Sequence, residues 1–223
     1  MDEMSRHRCL LYRGAPSNQL PMLTRVIRQK LKENVRCLYL NSPAMVAGMR
    51  SSLAAAGIDV AYETSRGSLS TSSERHHLSD VGSFSVDHMM FALEQALEQA
   101  LDEGYAGLWA TGDMTWELGP ELGSGKLLEY EWRLERFMQS HPELGGICQY
   151  HIDSLPITIV REGFCAHPEV FVNETLSLIN PHYISPDRDR APRMQTRYVN
   201  LPQVPAEITE LSDAALNQYV VAE

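Results

Sequence analysis

The chain reads as an α/β domain on a mostly parallel central sheet, followed by an extended tail. Three observations predict this. Short apolar runs alternate with helical stretches in the rhythm of stacked β-α-β units. A hydrophobic share of 43% over 223 residues allows a sizeable core and suits one large domain better than two. Prolines then bunch after Asn180, at 181, 186, 192, 202 and 205, with Asp187, Arg188, Asp189 and Arg190 among them, which marks an extended connector.

The elements follow in order. Residues 8–12 (RCLLY) form the first strand, and a polar turn at 13–20 leads to a helix over 21–34 with Leu23, Val26, Ile27 and Leu31 on one side. Residues 36–40 (RCLYL) are the second strand. Ser42 is then an N-cap, Pro43 a first helical residue and Gly57 a left-handed cap that closes the helix. Segments 58–64 and 67–72 are short β candidates, and a polar loop runs to Ser83. Ser85 caps the clearest helix, which reaches Gly104 with Met89, Leu93, Ala96, Leu97, Ala100 and Leu101 as its apolar stripe. A strand at 107–111, a helix over 130–140, a strand at 146–150 (GICQY), a helix over 154–163 and a strand at 169–173 complete the domain. Residues 206–221 are amphipathic enough to end the chain as a short helix. The domain is therefore placed at 1–185 and the connector with its terminal helix at 186–223.

A formal net charge of -10 repels phosphate backbones and anionic lipid, so nucleic acid and membrane are excluded as direct partners. No apolar stretch approaches the length of a membrane span, and the first eleven residues carry charges, so the cytoplasm is expected. Cys9, Cys37, Cys148 and Cys165 are widely spaced with no Cys-x-x-Cys pair, and read as buried thiols behaving as small hydrophobes.

A strand that runs straight into a turn and helix is where a nucleotide hydrolase carries its phosphate cradle. That cradle needs glycines for close backbone approach and a lysine for the phosphates. The turn here runs Arg13-Gly14-Ala15-Pro16-Ser17-Asn18-Gln19-Leu20-Pro21, with one glycine, no lysine and two prolines that cannot donate an N–H. The Gly125-Lys126 pair follows no strand and reads as a helix-start loop. No G-x-S-x-G elbow, H-E-x-x-H helix or kinase set is present. No catalytic residue, cofactor or metal ligand set is assigned, and the chain is expected not to be an enzyme.

Ligands of open α/β sheets bind beyond the carboxyl ends of the strands. The strand assignments place Tyr12, Arg13, Asn41, residues 111–116 and residues 150–153 around one crevice. Trp116 offers it a flat apolar wall, Asp113 a directional acceptor, and Tyr150 a further contact. Equally, Trp116 is a core-edge aromatic and Asp113 a turn cap. Glu131 interrupts the apolar face of Leu127, Leu134 and Met138, and a buried carboxylate needs a partner; pairing with another element comes first, ligand contact second. His7 falls near Cys148 if the first strand and GICQY are neighbours, yet a full ligand set is not visible, so a hydrogen-bonded structural histidine is expected. His167-Pro168 reads as a turn and His76-His77 as solvated.

The order of motifs resembles the MEDS family, a methanogen/methylotroph sensory domain. The residues that carry the resemblance are His7-Arg8-Cys9-Leu10-Leu11-Tyr12, Gly57-Ile58-Asp59-Val60, Gly67-Ser68-Leu69, Gly82-Ser83-Phe84-Ser85-Val86-Asp87 and Gly112-Asp113-Met114-Thr115-Trp116. Tyr130-Glu131, Cys148-Gln149-Tyr150, His167-Pro168 and Asn180-Pro181-His182-Tyr183 continue the series. The resemblance spans about residues 5–185. It implies a RecA-like three-layer sandwich related to KaiC-type ATPases, with an eroded, degenerate P-loop. Asn41-Ser42 would stand where KaiC-type enzymes carry paired glutamates, and Asp113 near a magnesium-binding carboxylate. It also implies sensing of small, hydrocarbon-derived molecules and coupling to DNA-binding or histidine-kinase-like modules. The expected function is a non-catalytic sensory or regulatory domain that binds a small molecule and signals through a protein partner such as a histidine kinase or transcription regulator, self-association being left open. The alternatives are a ligand-free interaction module in a kinase or sigma-factor pathway, or a residual nucleotide binder.

Overall fold

A computed structural model describes residues 7–74, 84–115, 124–172, 176–180 and 183–186. The chain divides into two units, Met1–Pro186 and Asp187–Glu223. The second unit, which takes in most of the connector and the expected terminal helix, lies outside the described residues.

The first unit is built on a seven-stranded sheet: β1 His7–Tyr12, β2 Arg36–Leu40, β3 Leu69–Ser72, β4 Leu108–Asp113, β5 Leu144–His151, β6 Glu169–Val172 and β7 Leu176–Ile179. Their order across the sheet is β3-β2-β4-β5-β1-β6-β7. The first six are parallel, and β7 pairs antiparallel with β6. All eight residues of β5 are buried, as a central strand covered on both faces requires.

The helices are α1 Leu20–Lys32, α2 Pro43–Ala55, α3 Val60–Ser65, α4 Val86–Asp102, α5 Ser124–Ser140 and α6 Ile157–Ala166, with a short 3-10 turn at Pro16–Gln19 before α1. Proline in the first turn of α1 and of α2 costs no hydrogen bond, because those N–H groups have no partner inside the helix. Lys30 and Lys32 lie in the last turn of α1, where a positive charge meets the carbonyl end. Ser85 accepts from the His88 N–H and opens α4. Gly57 sits at φ +83° just past α2, the left-handed conformation its lack of a Cβ permits.

The segment expected as a strand at 58–64 is instead α3. The Asp59 side chain accepts from the Tyr62 N–H, a local N-cap that diverts the chain into a six-residue helix. α5 begins earlier than the apolar pattern suggests, at Ser124. The antiparallel β7 was not foreseen.

Side chains alternate between the two faces of a strand, so the register sorts them. His7, Cys9, Cys148 and Tyr150 share one face with Gly146 and Gly112; Leu10, Tyr12, Ile147, Gln149, Thr111 and Asp113 share the other. Under α1 and α2 on the latter face lies a core of Leu10, Tyr39, Trp109 and Ile147 packed with Leu23, Ile27, Met49 and Leu53. The other face is covered by α4, α5 and α6. No described helix is long and apolar enough to cross a membrane.

Candidate functional site

The strand-end residues pair into three polar groups on the α1 side, with Gln19 Oε1 and Thr115 Oγ1 left buried without a hydrogen-bond partner. The buried Tyr12 hydroxyl donates to Asp113 Oδ2 at 2.8 Å, and the Thr115 N–H donates to Asp113 Oδ1 at 2.8 Å. Asp113 thus serves both a phenol and a turn. Burial, together with the Asp113 charge, pushes the Tyr12 hydroxyl above its ordinary range and keeps it a donor. Asn41 donates to Tyr39 Oη at 3.1 Å and accepts the Ser42 N–H at 2.8 Å. Gln19 reaches Gln149 at 3.3 Å, and Gln149 donates to Thr111 Oγ1 at 2.9 Å. Arg13 is exposed. Trp116 lies outside the described residues.

The turn after β1 also spends polar groups on its neighbours. Its Gly14 N–H donates to Asp153 Oδ2 at 2.8 Å, and His151 Nε2 lies 2.8 Å from the Gly14 carbonyl. The Asn18 N–H goes to the Ala15 carbonyl and the Leu20 N–H to that of Ser17. Three amides of the turn are therefore spent, positions 16 and 21 have none, and a carboxylate sits where an incoming anion would need N–H groups.

Tyr150, expected around the same crevice, lies on the opposite face of the sheet, where it meets Glu131, the carboxylate expected to pair with another element. The reason is the period of two along β5: Gln149 faces the strand-end network, so Tyr150 faces away. The Tyr150 hydroxyl donates to Glu131 Oε1, and Glu131 Oε2 is 3.1 Å from His7 Nε2, 3.6 Å from Cys148 Sγ and 3.5 Å from His167 Nε2. Cys148 Sγ lies 3.6 Å from His7 Nε2, and the two imidazole centroids are 4.0 Å apart. His7 Nδ1 meets Glu135 Oε2 at 3.1 Å, while His167 Nδ1 meets the Gly163 carbonyl at 2.6 Å. Glu131 and His167 have no exposure at all, and His7 has 2%.

The charges of this cluster follow from who faces whom. Burial opposes a charge on His7, but the hydrogen bonds and charges of Glu131 and Glu135 outweigh it and hold its pKa up at about 9. Burial, aided by the His7 charge, drives His167 down to about 4. Burial alone would raise the Glu131 and Glu135 carboxyls; His167, His7 and the Tyr150 hydroxyl lower Glu131 instead, and His7, Tyr183 and Gln139 lower Glu135. The four cysteines are buried thiols.

Beside the cluster, between the sheet and helices α4 and α5, lies a small apolar cavity. Its floor is Ala110, Gly112 and Gly146, its walls include Leu93 and Met138, and Cys148 stands at its edge. It offers about 30 Å³ of room to the centre of a water-sized sphere. One water needs roughly 10–15 Å³ on that measure, so the space suits a molecule of a few heavy atoms.

The profile of the family described as MEDS, the methanogen/methylotroph, DcmR sensory domain, matches residues 6–168. The chain belongs to the MEDS family. Among solved structures, this MEDS domain is similar in fold to a KaiC-like protein from the hyperthermophilic archaeon Pyrococcus horikoshii OT3. The TM-score is 0.52 at 12% sequence identity, over 77% of this chain and 72% of the other. At that identity the likeness shows the RecA-like fold and nothing of activity. No curated protein matches the domain in sequence.

Of the residues singled out from the MEDS sequence, the structure brings Tyr12 and Asp113 into contact, and Glu131 and Tyr150 into another. It does not bring the two pairs together. Sequence reasoning missed His167, read as a turn, and Glu135. The one available signal was Glu131-x-x-x-Glu135 on a helix facing a strand that opens with His7, because i and i+4 share a helical face.

Proposed function

We propose that this domain is a non-catalytic sensor that takes a small, largely apolar molecule into the cavity between β4, β5, α4 and α5, and reports its occupancy to a partner protein. The sensory role is the family's. The ligand class rests on the cavity: its floor is two glycines and an alanine, its walls are mostly leucine and methionine side chains with Tyr130, and its volume limits the occupant to a few heavy atoms. The spent amides of the first turn and the carboxylate of Asp153 argue against a phosphate cradle, and so against nucleotide turnover. The net charge of -10 favours a protein partner, such as a histidine kinase or transcription regulator, over direct contact with nucleic acid.

The test is thermal shift with xenon, short alcohols and small halocarbons, on the whole chain and on Ala110→Val, which adds two methyls to the cavity floor. A bound probe raises the melting temperature by mass action, by the equivalent of about 2.7 kcal/mol at a hundred times its Kd, and the variant loses that gain. If every probe leaves the melting temperature unchanged, the ligand reading fails. One observation then favours a ligand-free interaction module: the strand-end polar groups hydrogen-bond to one another. Hydrolysis of ATP by clean protein, lost in Asp113→Ala, would overturn the non-catalytic reading.

A further inference from the structure

We propose that His7, Glu131, Cys148 and His167 are the four ligands of a divalent metal ion of the zinc type, buried between the sheet and helices α5 and α6. Each offers one ligand atom, and the four atoms lie within 4.8 Å of one another. Zinc–ligand bonds of about 2.0–2.3 Å put tetrahedral ligands roughly 3.3–3.7 Å apart. Four of the six separations here are 3.1, 3.5, 3.6 and 3.6 Å, so the side chains stand near the corners of such a tetrahedron.

The hydrogen bonds behind the ligands point the same way. A metal-bound histidine typically gives its other N–H to a carboxylate or a backbone carbonyl, which fixes the tautomer. His7 Nδ1 has Glu135, itself held by Gln139 at 2.7 Å and Tyr183 at 3.1 Å; His167 Nδ1 has the Gly163 carbonyl. A carbonyl only accepts, so the His167 proton is on Nδ1 and the bare Nε2 lone pair faces the cluster. That Nε2 is fully buried and makes no hydrogen bond. A lone pair 3.5 Å from a carboxylate oxygen is repelled by it unless a cation lies between.

Charge and donor type agree as well. On coordination the Cys148 thiol and the His7 Nε2–H each release a proton to solvent, and His7 keeps its Nδ1–H toward Glu135. The Cys148 thiolate and the Glu131 carboxylate then balance a divalent ion, leaving the buried site neutral. Nitrogen, sulfur and oxygen donors together suit zinc, and four protein ligands with no open position make the site structural. Its ligands come from β1, β5, α5 and the end of α6, so the ion would staple two helices onto two adjacent strands.

The experiment is metal analysis of the full chain purified without chelator, then stripping and titration with Co2+. The expected result is about one zinc per chain, and a Co2+ spectrum with the near-ultraviolet thiolate charge-transfer band and visible tetrahedral bands. Cys148→Ser should abolish the charge-transfer band, and His167→Gln should weaken Co2+ binding at least tenfold. Should either variant fail to fold, X-ray absorption on the wild-type zinc form reads the same site as one sulfur near 2.3 Å with three lighter ligands at about 2.0–2.2 Å. Protein that takes up neither ion in stoichiometric amount, or that binds Co2+ without a thiolate band, overturns the proposal. The cluster would then be a metal-free one in which a His7 imidazolium bridges Glu131 and Glu135.

Discussion

Gly163 sits inside α6, where alanine normally stabilises a helix by about 1 kcal/mol relative to glycine. The structure predicts the opposite for Gly163→Ala. A Cβ built there lies 2.3 Å from Cζ, 2.4 Å from Cε1 and 2.7 Å from the hydroxyl of Tyr150, whereas carbon atoms rest at about 3.5–4.0 Å. Something must move by more than 1 Å. Tyr150 has nowhere to go: it is fully buried and its hydroxyl is held by Glu131. Overpacking of this kind costs about 1–3 kcal/mol, and disturbing a hydrogen bond to a carboxylate adds about 1.5–3 kcal/mol. Net of the helix gain, destabilisation of roughly 1.5–5 kcal/mol is expected, a fall in Tm of about 3–20 °C for a chain of this size. Urea unfolding followed by far-ultraviolet circular dichroism measures it. Gly48→Ala in α2 is the control, because its Cβ meets only the flexible end of Leu20 at 3.1 Å and should change stability by less than about 1 kcal/mol. Tyr150→Phe should not rescue Gly163→Ala, since the ring carbons are the nearest obstacle. If Gly163→Ala is as stable as the wild type, α6 does not approach the sheet as described.

Two further perturbations test other parts of the fold. Glu162 is 7% exposed, and burial raises its carboxyl to about 7 from an ordinary 4.5. The uncharged form is the one the fold favours, so its contribution is complete below pH 4.5 and is lost as pH rises through 7. Glu162→Gln should therefore gain up to about 3 kcal/mol over the wild type at pH 8 and little at pH 4; equal urea midpoints at pH 8 would contradict this. Asp153→Ala removes the acceptor of the Gly14 N–H at an exposed position and should cost about 0.5–1.5 kcal/mol. It should still show no Tm gain with Mg·ATP, because the Asn18 and Leu20 amides stay bonded within the turn, positions 16 and 21 have none and the turn has no lysine; a gain would show that Asp153 alone blocks nucleotide.

The layered architecture was legible because it rests on local patterns. Apolar runs at 8–12, 36–40 and 146–150 became β1, β2 and β5, and the Ser85 cap and Met89-Leu93-Leu97-Ala100 stripe became α4. Segment 58–64 misled because its apolar residues suit a short strand, whereas one side-chain cap at Asp59 decides for helix. The crevice misled for a different reason. Tyr150 is next to Gln149 in sequence, but β geometry sends neighbours to opposite faces, and only the register against β1 and β4 shows which is which. The need of Glu131 for a partner was readable from its apolar neighbours. That the partners are His7, Cys148, Tyr150 and His167 was not, since those residues come from strands and a helix end, with His7 and His167 160 positions apart.

Cys148 borders both the apolar cavity and the His7 cluster, so a single substitution there confounds the two proposals while substitutions on either side separate them. Ala110→Val crowds the cavity and leaves all four proposed ligands intact; it should remove probe binding yet keep the Co2+ thiolate band. His167→Gln touches the cluster from α6 and does not line the cavity; it should weaken Co2+ binding while the cavity still accepts a probe. If each variant disturbs only its own readout, the cavity and the cluster are independent features on one face of the sheet. If His167→Gln also abolishes probe binding, the cavity exists only because the cluster holds α5 against β5. The ion would then be a precondition of sensing, acting through the position of one helix.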